Sequence, residues 1–187
     1  MESRLQLYNR MLATRDEFRE DFVTKESETL QRRVLLMEEF RTVRRIGLYS
    51  PFGNEVRTDL LFEEGNRNRK ELYYPAVDPE DQTVAYFRIM DLGELVRTEE
   101  GKLEPSGKQS KLRDLNTLNA LIVPGVVFDL EGGRIGFGKG FYDDCLEKFR
   151  GVRIALAYDF QVVSKLPTAA AGRKVDWIAT EKRLIRC

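Results

Sequence analysis

The sequence predicts an α/β domain with a largely parallel central sheet flanked by helices. Three observations carry that expectation. Short apolar runs alternate with stretches of helical periodicity along the chain. The most apolar run, Leu118 to Phe128, includes the continuous segment Leu121-Ile122-Val123, which reads as a strand buried on both faces. Clusters of Pro, Gly, Asn and Asp punctuate these segments at element-length intervals. A length of 187 residues suits one domain, and no repeat or linker divides it. Residues 1–187 are therefore expected to form a single three-layer, Rossmann-like unit.

The elements follow in order. Leu5, Tyr8, Met11, Leu12 and Phe18 form a helical stripe over residues 3 to about 20. A second helix is expected from an N-cap at Thr24, with Glu26 and Glu28 in its first turn. Its stripe is Leu30, Val34, Met37, Phe40 and Val43, and Arg41, Arg44 and Arg45 suit its C-terminal end. Ile46 to Tyr49 reads as a short strand that stops at Ser50-Pro51-Phe52-Gly53-Asn54, and Val56 to Glu64 as a helix ending at Gly65. Two strands, Leu72 to Val77 and Thr83 to Met90, flank a turn, and residues 98 to 116 read as a long loop. Leu118 to Phe128 is the expected central strand. Then come a helix (Phe141 to Phe149), a strand (Val152 to Tyr158), a short helix (Gln161 to Lys165) and a last strand (Val175 to Thr180).

Composition removes several function classes. Lys and Arg total 31, as do Asp and Glu, so the formal net charge is zero. That argues against a general nucleic-acid or membrane-surface binder. The chain has no histidine, which excludes His bases, His triads and His-ligated zinc. Chemistry must rest on carboxylates, Lys, Arg, Tyr, hydroxyls or a hard metal ion with oxygen ligands. Cys145 and Cys187 make neither a zinc cluster nor a disulfide framework, and suit a reducing compartment. The N-terminus has no apolar signal core, and no stretch nears the ~20 apolar residues of a membrane span. A cytoplasmic monomer is the expectation.

The strongest local signal is Arg134-Ile135-Gly136-Phe137-Gly138-Lys139-Gly140-Phe141-Tyr142-Asp143, between a strand and a helix. Alternating glycines let backbone N–H groups approach an anion, and the helix N-terminus favours negative charge. Arg134 and Lys139 add positive charge, and Asp143 offers an oxygen ligand for magnesium. The spacing is neither Walker A nor GxGxxG. From these features alone, the segment is either a polyphosphate cradle or a tight strand–helix turn with solvated charges.

The segment Val123-Pro124-Gly125-Val126-Val127-Phe128-Asp129 followed by RIGFGKGFYD resembles the signature of the 5-formyltetrahydrofolate cyclo-ligase family, approximately VPGxAFDxxGxRLGxGxGYYD. Gln161, Pro167, the tail from Val175 to Glu181, Glu55-Val56-Arg57-Thr58, Tyr74-Pro75 and Glu104-Pro105 are also similar to family elements. The resemblance implies ATP as co-substrate, Mg²⁺, and conversion of 5-formyltetrahydrofolate to 5,10-methenyltetrahydrofolate with release of ADP and phosphate. It implies that Arg134, Ile135, Gly136, Phe137, Gly138, Lys139, Gly140, Phe141 and Tyr142 wrap the ATP phosphates. Arg134, Lys139 and Tyr142 would serve catalysis, and Asp143 would hold the metal. Arg4 stands where the family has a lysine that reaches ATP; its other reading is a solvated helix residue. Glu55, Pro75, Met90 and Glu104 would contact the folate. A carboxylate at Glu55 suits an amino-pterin, which presents two N–H donors side by side. Glu55 read alone is a first-turn helix acid, Met90 a core residue and Glu104 a solvated loop acid.

Some positions depart from the family pattern. Pro167-Thr168-Ala169-Ala170-Ala171-Gly172 stands where the family has PxExxD, so Ala169 and Gly172 replace carboxylates. Phe141 replaces the first tyrosine of GYYD. Tyr8 occupies the place of an N-terminal arginine, for which Arg10 or Arg15 is a candidate stand-in. These losses touch phosphate and metal handling rather than folate packing. The alternative they imply is a folate- or nucleotide-binding homologue with little turnover.

Overall fold

The computed structural model describes residues 2–77, 83–137, 141–167 and 174–187. The chain opens with helix α1 (Arg4–Asp16). Ser3 caps it reciprocally: its Oγ accepts from the Gln6 N–H at 3.2 Å, and Gln6 Oε1 accepts from the Ser3 N–H at 2.9 Å. Leu7, Met11 and Arg15 recur every four residues and form the buried face.

Helix α2 (Glu20–Leu36) starts four residues before the expected Thr24 cap. The buried series Val23, Ser27, Leu30, Val34 extends the stripe upstream, and Glu20 and Asp21 supply the first-turn charge. Met37 is extended and ends α2, so the expected single helix breaks before the short α3 (Glu38–Arg41). Arg44 and Arg45 lie outside any helix; each places Nε 3.1 Å from a Glu71 oxygen.

Strand β1 (Arg45–Gly47) follows, then α4 (Asp59–Arg67), which runs through Gly65 rather than stopping there. A Cβ on Gly65 would lie 3.1 Å from Leu72 Cδ2, so glycine permits the close helix–sheet approach. Next come β2 (Glu71–Val77) and β3 (Val84–Ile89), paired antiparallel. The segment expected as a loop contributes to a hairpin, β4 (Leu95–Arg97) with β5 (Leu103–Pro105), and carries a 3-10 turn at Leu115–Thr117.

The expected central strand is two strands. β6 (Ala120–Val123) is fully buried, and β7 (Val127–Asp129) belongs to another sheet. Pro124-Gly125 makes the switch. Pro124 lacks an N–H for a sheet ladder, and a Cβ on Gly125 would lie 2.4 Å from Phe128 Cζ. β8 (Arg134–Ile135) pairs with β7, and α5 (Phe141–Lys148) and β9 (Val152–Leu156) follow. The expected helix at residues 161–165 is instead the end of a 3-10 turn, Asp159–Gln161, followed by β10 (Val162–Val163). Gln161 Nε2 donates to the carbonyls of Gly125 (3.1 Å) and Val126 (2.9 Å), which seats this segment beside β7. β11 (Trp177–Ala179) is the expected last strand, but β12 (Leu184–Arg186) adds an antiparallel edge beyond it.

The main sheet has the order β12-β11-β9-β6-β1-β2-β3 and is parallel except at its two edge strands. Its faces carry separate cores. Ile46, Leu72, Ile122 and Ile154 pack with Leu30, Val34, Leu61 and Phe62 of α2 and α4. Tyr73, Leu121, Val123 and Ala155 pack with Cys145, Leu146 and Phe149 on the α5 side. The three-layer expectation therefore holds. In a third cluster, Leu7 and Met11 of α1 cover Val126, Val127 and Ile135.

Candidate functional site

From β1 the chain builds outward through β2 and β3 to one side. From β6 it builds through β9 and β11 to the other. The β1/β6 boundary is thus the topological switch point, where crevices open beyond the strand ends. A cleft of about 330 Å³ lies there. Tyr49 and Ser50 follow β1, Pro124 and Gly125 follow β6, and Pro75 and Ala76 come from the end of β2. Glu55, Arg134, Phe137, Tyr142, Asp143 and the hairpin residues Lys102 and Glu104 complete its working walls.

Arg134 is buried at the base of this cleft. Its Nη1 donates to the Pro124 carbonyl at 3.0 Å, and its Nη2 pairs with Asp143 Oδ1 at 2.7 Å. Gly136 makes room for this fold-back, since a Cβ there would lie 2.3 Å from Arg134 Nη1. The guanidinium stands 6.0 Å from the centre of the Tyr142 ring. Burial, with Tyr86 and Glu55 nearby, holds the Tyr142 phenol well above its ordinary range, so it stays a proton donor. Asp143 sits in the first turn of α5, where the helix dipole favours negative charge.

Glu55 is 5% exposed, and its Oε2 accepts from the Phe52 N–H at 2.9 Å. Burial raises its pKa; the positive charge of Arg15 opposes that most, followed by the Phe52 N–H, Lys102 and Arg57. Tyr49 donates its hydroxyl to the Val56 carbonyl at 2.7 Å, and Thr58 Oγ1 donates to the Tyr49 carbonyl at 2.9 Å. These bonds fix the loop that carries Glu55. No reactive thiolate lies nearby, because burial pushes the Cys145 thiol up to about 11.

The structure brings Glu55, Pro75, Glu104, Arg134, Phe137, Tyr142 and Asp143 to one cleft. Ile135 faces away, into the α1 cluster. Phe141 is the first residue of α5. Met90 is misplaced by the sequence reading: it lies 67% exposed beyond β3, outside the cleft, with its carbonyl accepting from Asn66 Nδ2 at 3.1 Å. Arg4 is exposed at the start of α1 and does not line the cleft. Gly138, Lys139 and Gly140, and the family-divergent Ala169 and Gly172, lie outside the described residues.

The two candidate stand-ins for the missing N-terminal arginine separate. Arg10 pairs with Glu2 at the surface, at 2.9 Å. Arg15 is buried next to the cleft, with Nη1 3.3 Å from the Gly125 carbonyl and its guanidinium 5.2 Å from the centre of the Phe137 ring. Sequence reasoning also missed Tyr49, Phe52 and Lys102, which carry no motif of their own.

Among the described residues, no group of three or more His, Cys, Asp or Glu gathers to cage a metal ion. Magnesium does not require such a cage. It keeps several waters and takes one or two carboxylates together with substrate phosphates. Asp143, on the cleft wall beside a buried arginine, fits that partial donor set. Among the described residues, no helix is long and apolar enough to cross a membrane.

The sequence profile of the 5-formyltetrahydrofolate cyclo-ligase family matches residues 1–181. The chain belongs to this family. A relative named 5-formyltetrahydrofolate cyclo-ligase from Haemophilus influenzae is 31% identical over 145 residues, covering 75% of this chain and 78% of the relative. One of the same name from Escherichia coli is 31% identical over 126 residues, 65% and 69% of the two chains. The solved structure of Aquifex aeolicus 5,10-methenyltetrahydrofolate synthetase superposes with a TM-score of 0.86 at 32% identity, covering 98% of this chain and 92% of that one. The same cyclo-ligase fold recurs, at 22% identity and a TM-score of 0.76, in a Mycoplasma pneumoniae synthetase.

Proposed function

We propose that this cyclo-ligase family member converts 5-formyltetrahydrofolate to 5,10-methenyltetrahydrofolate at the cost of one ATP. The observation that carries this reading is the pairing of two features in one cleft: a buried carboxylate, Glu55, and a buried arginine, Arg134, paired with Asp143 at the start of α5. Glu55 accepts the N–H donors of the pterin, while Pro75 and Glu104 flank the folate. Arg134, Phe137 and Tyr142 on the cleft wall, together with Lys139 of the Gly-rich segment, take the ATP phosphates.

The formyl oxygen is a poor leaving group. It attacks the γ-phosphorus, and the bond from that phosphorus to ADP breaks. The folate N10 then attacks the activated carbon, loses its proton, and phosphate departs with the former formyl oxygen. Both nucleophiles belong to the substrate, so the protein needs no Ser, Cys or His nucleophile. Its task is to align the groups and to stabilise charge on the transferring phosphoryl. Arg134 and Lys139 supply positive charge, and the protonated Tyr142 hydroxyl supplies a donor. Asp143 is the residue to hold Mg²⁺, which neutralises phosphate charge when bound with ATP. All of these groups come from one chain, so a monomer suffices. The unpaired Cys145 and Cys187 fit the reducing cytoplasm.

The test is formation of the methenyl product, followed by its absorbance, with purified protein, 5-formyltetrahydrofolate, ATP and Mg²⁺. Product that depends on ATP is expected. Well-folded protein that makes none overturns the reading in favour of a binding homologue.

A further inference from the structure

Arg15 is a buried charge that the catalytic reading leaves without a role. It is 2% exposed, yet its guanidinium makes no ion pair among the described residues. Its partners there are neutral: the Gly125 carbonyl at 3.3 Å and the Phe137 ring at 5.2 Å, with Nε making no hydrogen bond. Burying an arginine costs several kcal/mol unless charge or hydrogen bonds compensate it. Neutral partners orient the group but leave its field uncancelled, and in a low-dielectric interior that field reaches far.

The field falls on Glu55. Asn54, next to Glu55, ties the two regions together: its Nδ2 donates to the carbonyls of Arg15 (2.9 Å), Asp16 (3.3 Å) and Phe18 (2.8 Å) at the end of α1. Among the described residues, Glu100, Glu104, Arg134 and Asp143 share the cleft with Glu55, and five groups act on it directly. They are Arg15 from α1, Arg57 beyond the loop, Lys102 from the β4–β5 hairpin, Tyr49 after β1 and Tyr142 from α5. Both tyrosines are held neutral by burial. Arg57 is committed to Glu20 (3.1 Å) and to the Gly53 carbonyl (2.9 Å). Lys102 is 3.2 Å from Glu100 and 39% exposed, where water screens it. Arg15 alone is both buried and uncommitted to another carboxylate.

We propose that Arg15 is a positioning residue for substrate recognition: braced between the Gly125 carbonyl and the Phe137 ring, it keeps Glu55 in the carboxylate form that accepts the pterin N–H donors. The inference rests on the folate reading of Glu55.

The experiment measures the affinity for 5-formyltetrahydrofolate alone, without ATP, from mildly acidic to mildly alkaline pH. Wild type, Arg15→Gln, Arg15→Lys and Glu55→Gln are compared. Gln can still donate to the Gly125 carbonyl but carries no charge. In wild type, affinity falls as Glu55 protonates. Arg15→Gln is expected to move that acid limb about one to three pH units upward, with binding restored as the pH rises. Arg15→Lys keeps the limb near its wild-type position, and Glu55→Gln binds weakly with no limb. A limb that does not move in Arg15→Gln overturns the role of Arg15. Glu55→Gln that binds like wild type overturns the folate reading of Glu55 instead.

Thermal stability gives a second readout should Arg15→Gln fold poorly. Loss of Arg15 is expected to cost less in the Glu55→Gln background, because the carboxylate it supports is gone. A double variant that loses as much as the sum of its parts contradicts the coupling.

Discussion

Glu55, the proposed pterin acceptor, is a burden on the fold. Burial raises its pKa from the ordinary carboxylate value, so the folded protein holds this proton more tightly than the unfolded chain does. The contribution of such a group to stability is fully present below its unfolded pKa and is lost as pH rises through its folded pKa. The melting temperature of wild type relative to Glu55→Gln should therefore fall as pH rises through that window. A difference that is flat or rises with pH would show that Glu55 is not buried in this way. Arg134 and Asp143 make the opposite demand, because the buried guanidinium is paired with the half-buried carboxylate at 2.7 Å. Asp143→Ala removes one partner of the buried Arg134 guanidinium, at a cost of about 3 kcal/mol. Asp143→Asn keeps an acceptor and should fold better while still losing turnover. Arg134→Gln should lower kcat by about 10²–10³-fold, the range for removing one donor from a charge-stabilising site. Chemical denaturation and steady-state kinetics separate the two effects.

The Pro124-Gly125 switch decides what the neighbouring elements can do. The chain leaves the main sheet there, and the freed carbonyls take the buried donors of Arg134, Arg15 and Gln161. Gly125→Ala sets a Cβ 2.4 Å from the fully buried Phe128 ring, which has no room to yield. A loss of about 1–3 kcal/mol is expected, the usual range for overpacking, with weaker substrate binding as the donors shift. An unchanged denaturation midpoint would contradict the packing account. Sequence patterning missed this switch because residues 118–128 are apolar on both sides of it, and hydrophobicity alone does not report a change of sheet. It likewise missed the break of α2 at Met37, where a single extended residue interrupts a stripe that otherwise continues. Thr24, with Glu26 and Glu28 after it, fits a cap by residue type, but the buried Val23 before it already belongs to the helix.

At the scale of the molecule, the alternation of buried strands with helices was legible, and with it the three layers and the mostly parallel order. The cleft follows from that order, because the first strand and the sixth diverge at the switch point. The Gly-rich segment and Glu55 were readable through their resemblance to a family, and Arg15 only as one of two candidates that the fold separates, whereas Phe52 and Lys102 were not. Their roles depend on the meeting of α1, the loop after β1 and the β4–β5 hairpin, which are far apart in sequence. Met90 failed for the converse reason: β3 enters the cleft at Val84, its first residue, whereas Met90 follows the opposite end of the strand, 67% exposed. The central claim, ring closure driven by phosphoryl transfer to the formyl oxygen, is tested most directly with substrate carrying ¹⁸O in its formyl group. The account predicts ATP-dependent methenyl product, one ADP per turnover, and the ¹⁸O recovered in inorganic phosphate. Product formed with the label left out of the phosphate would contradict the mechanism, and no product from folded protein would contradict the function.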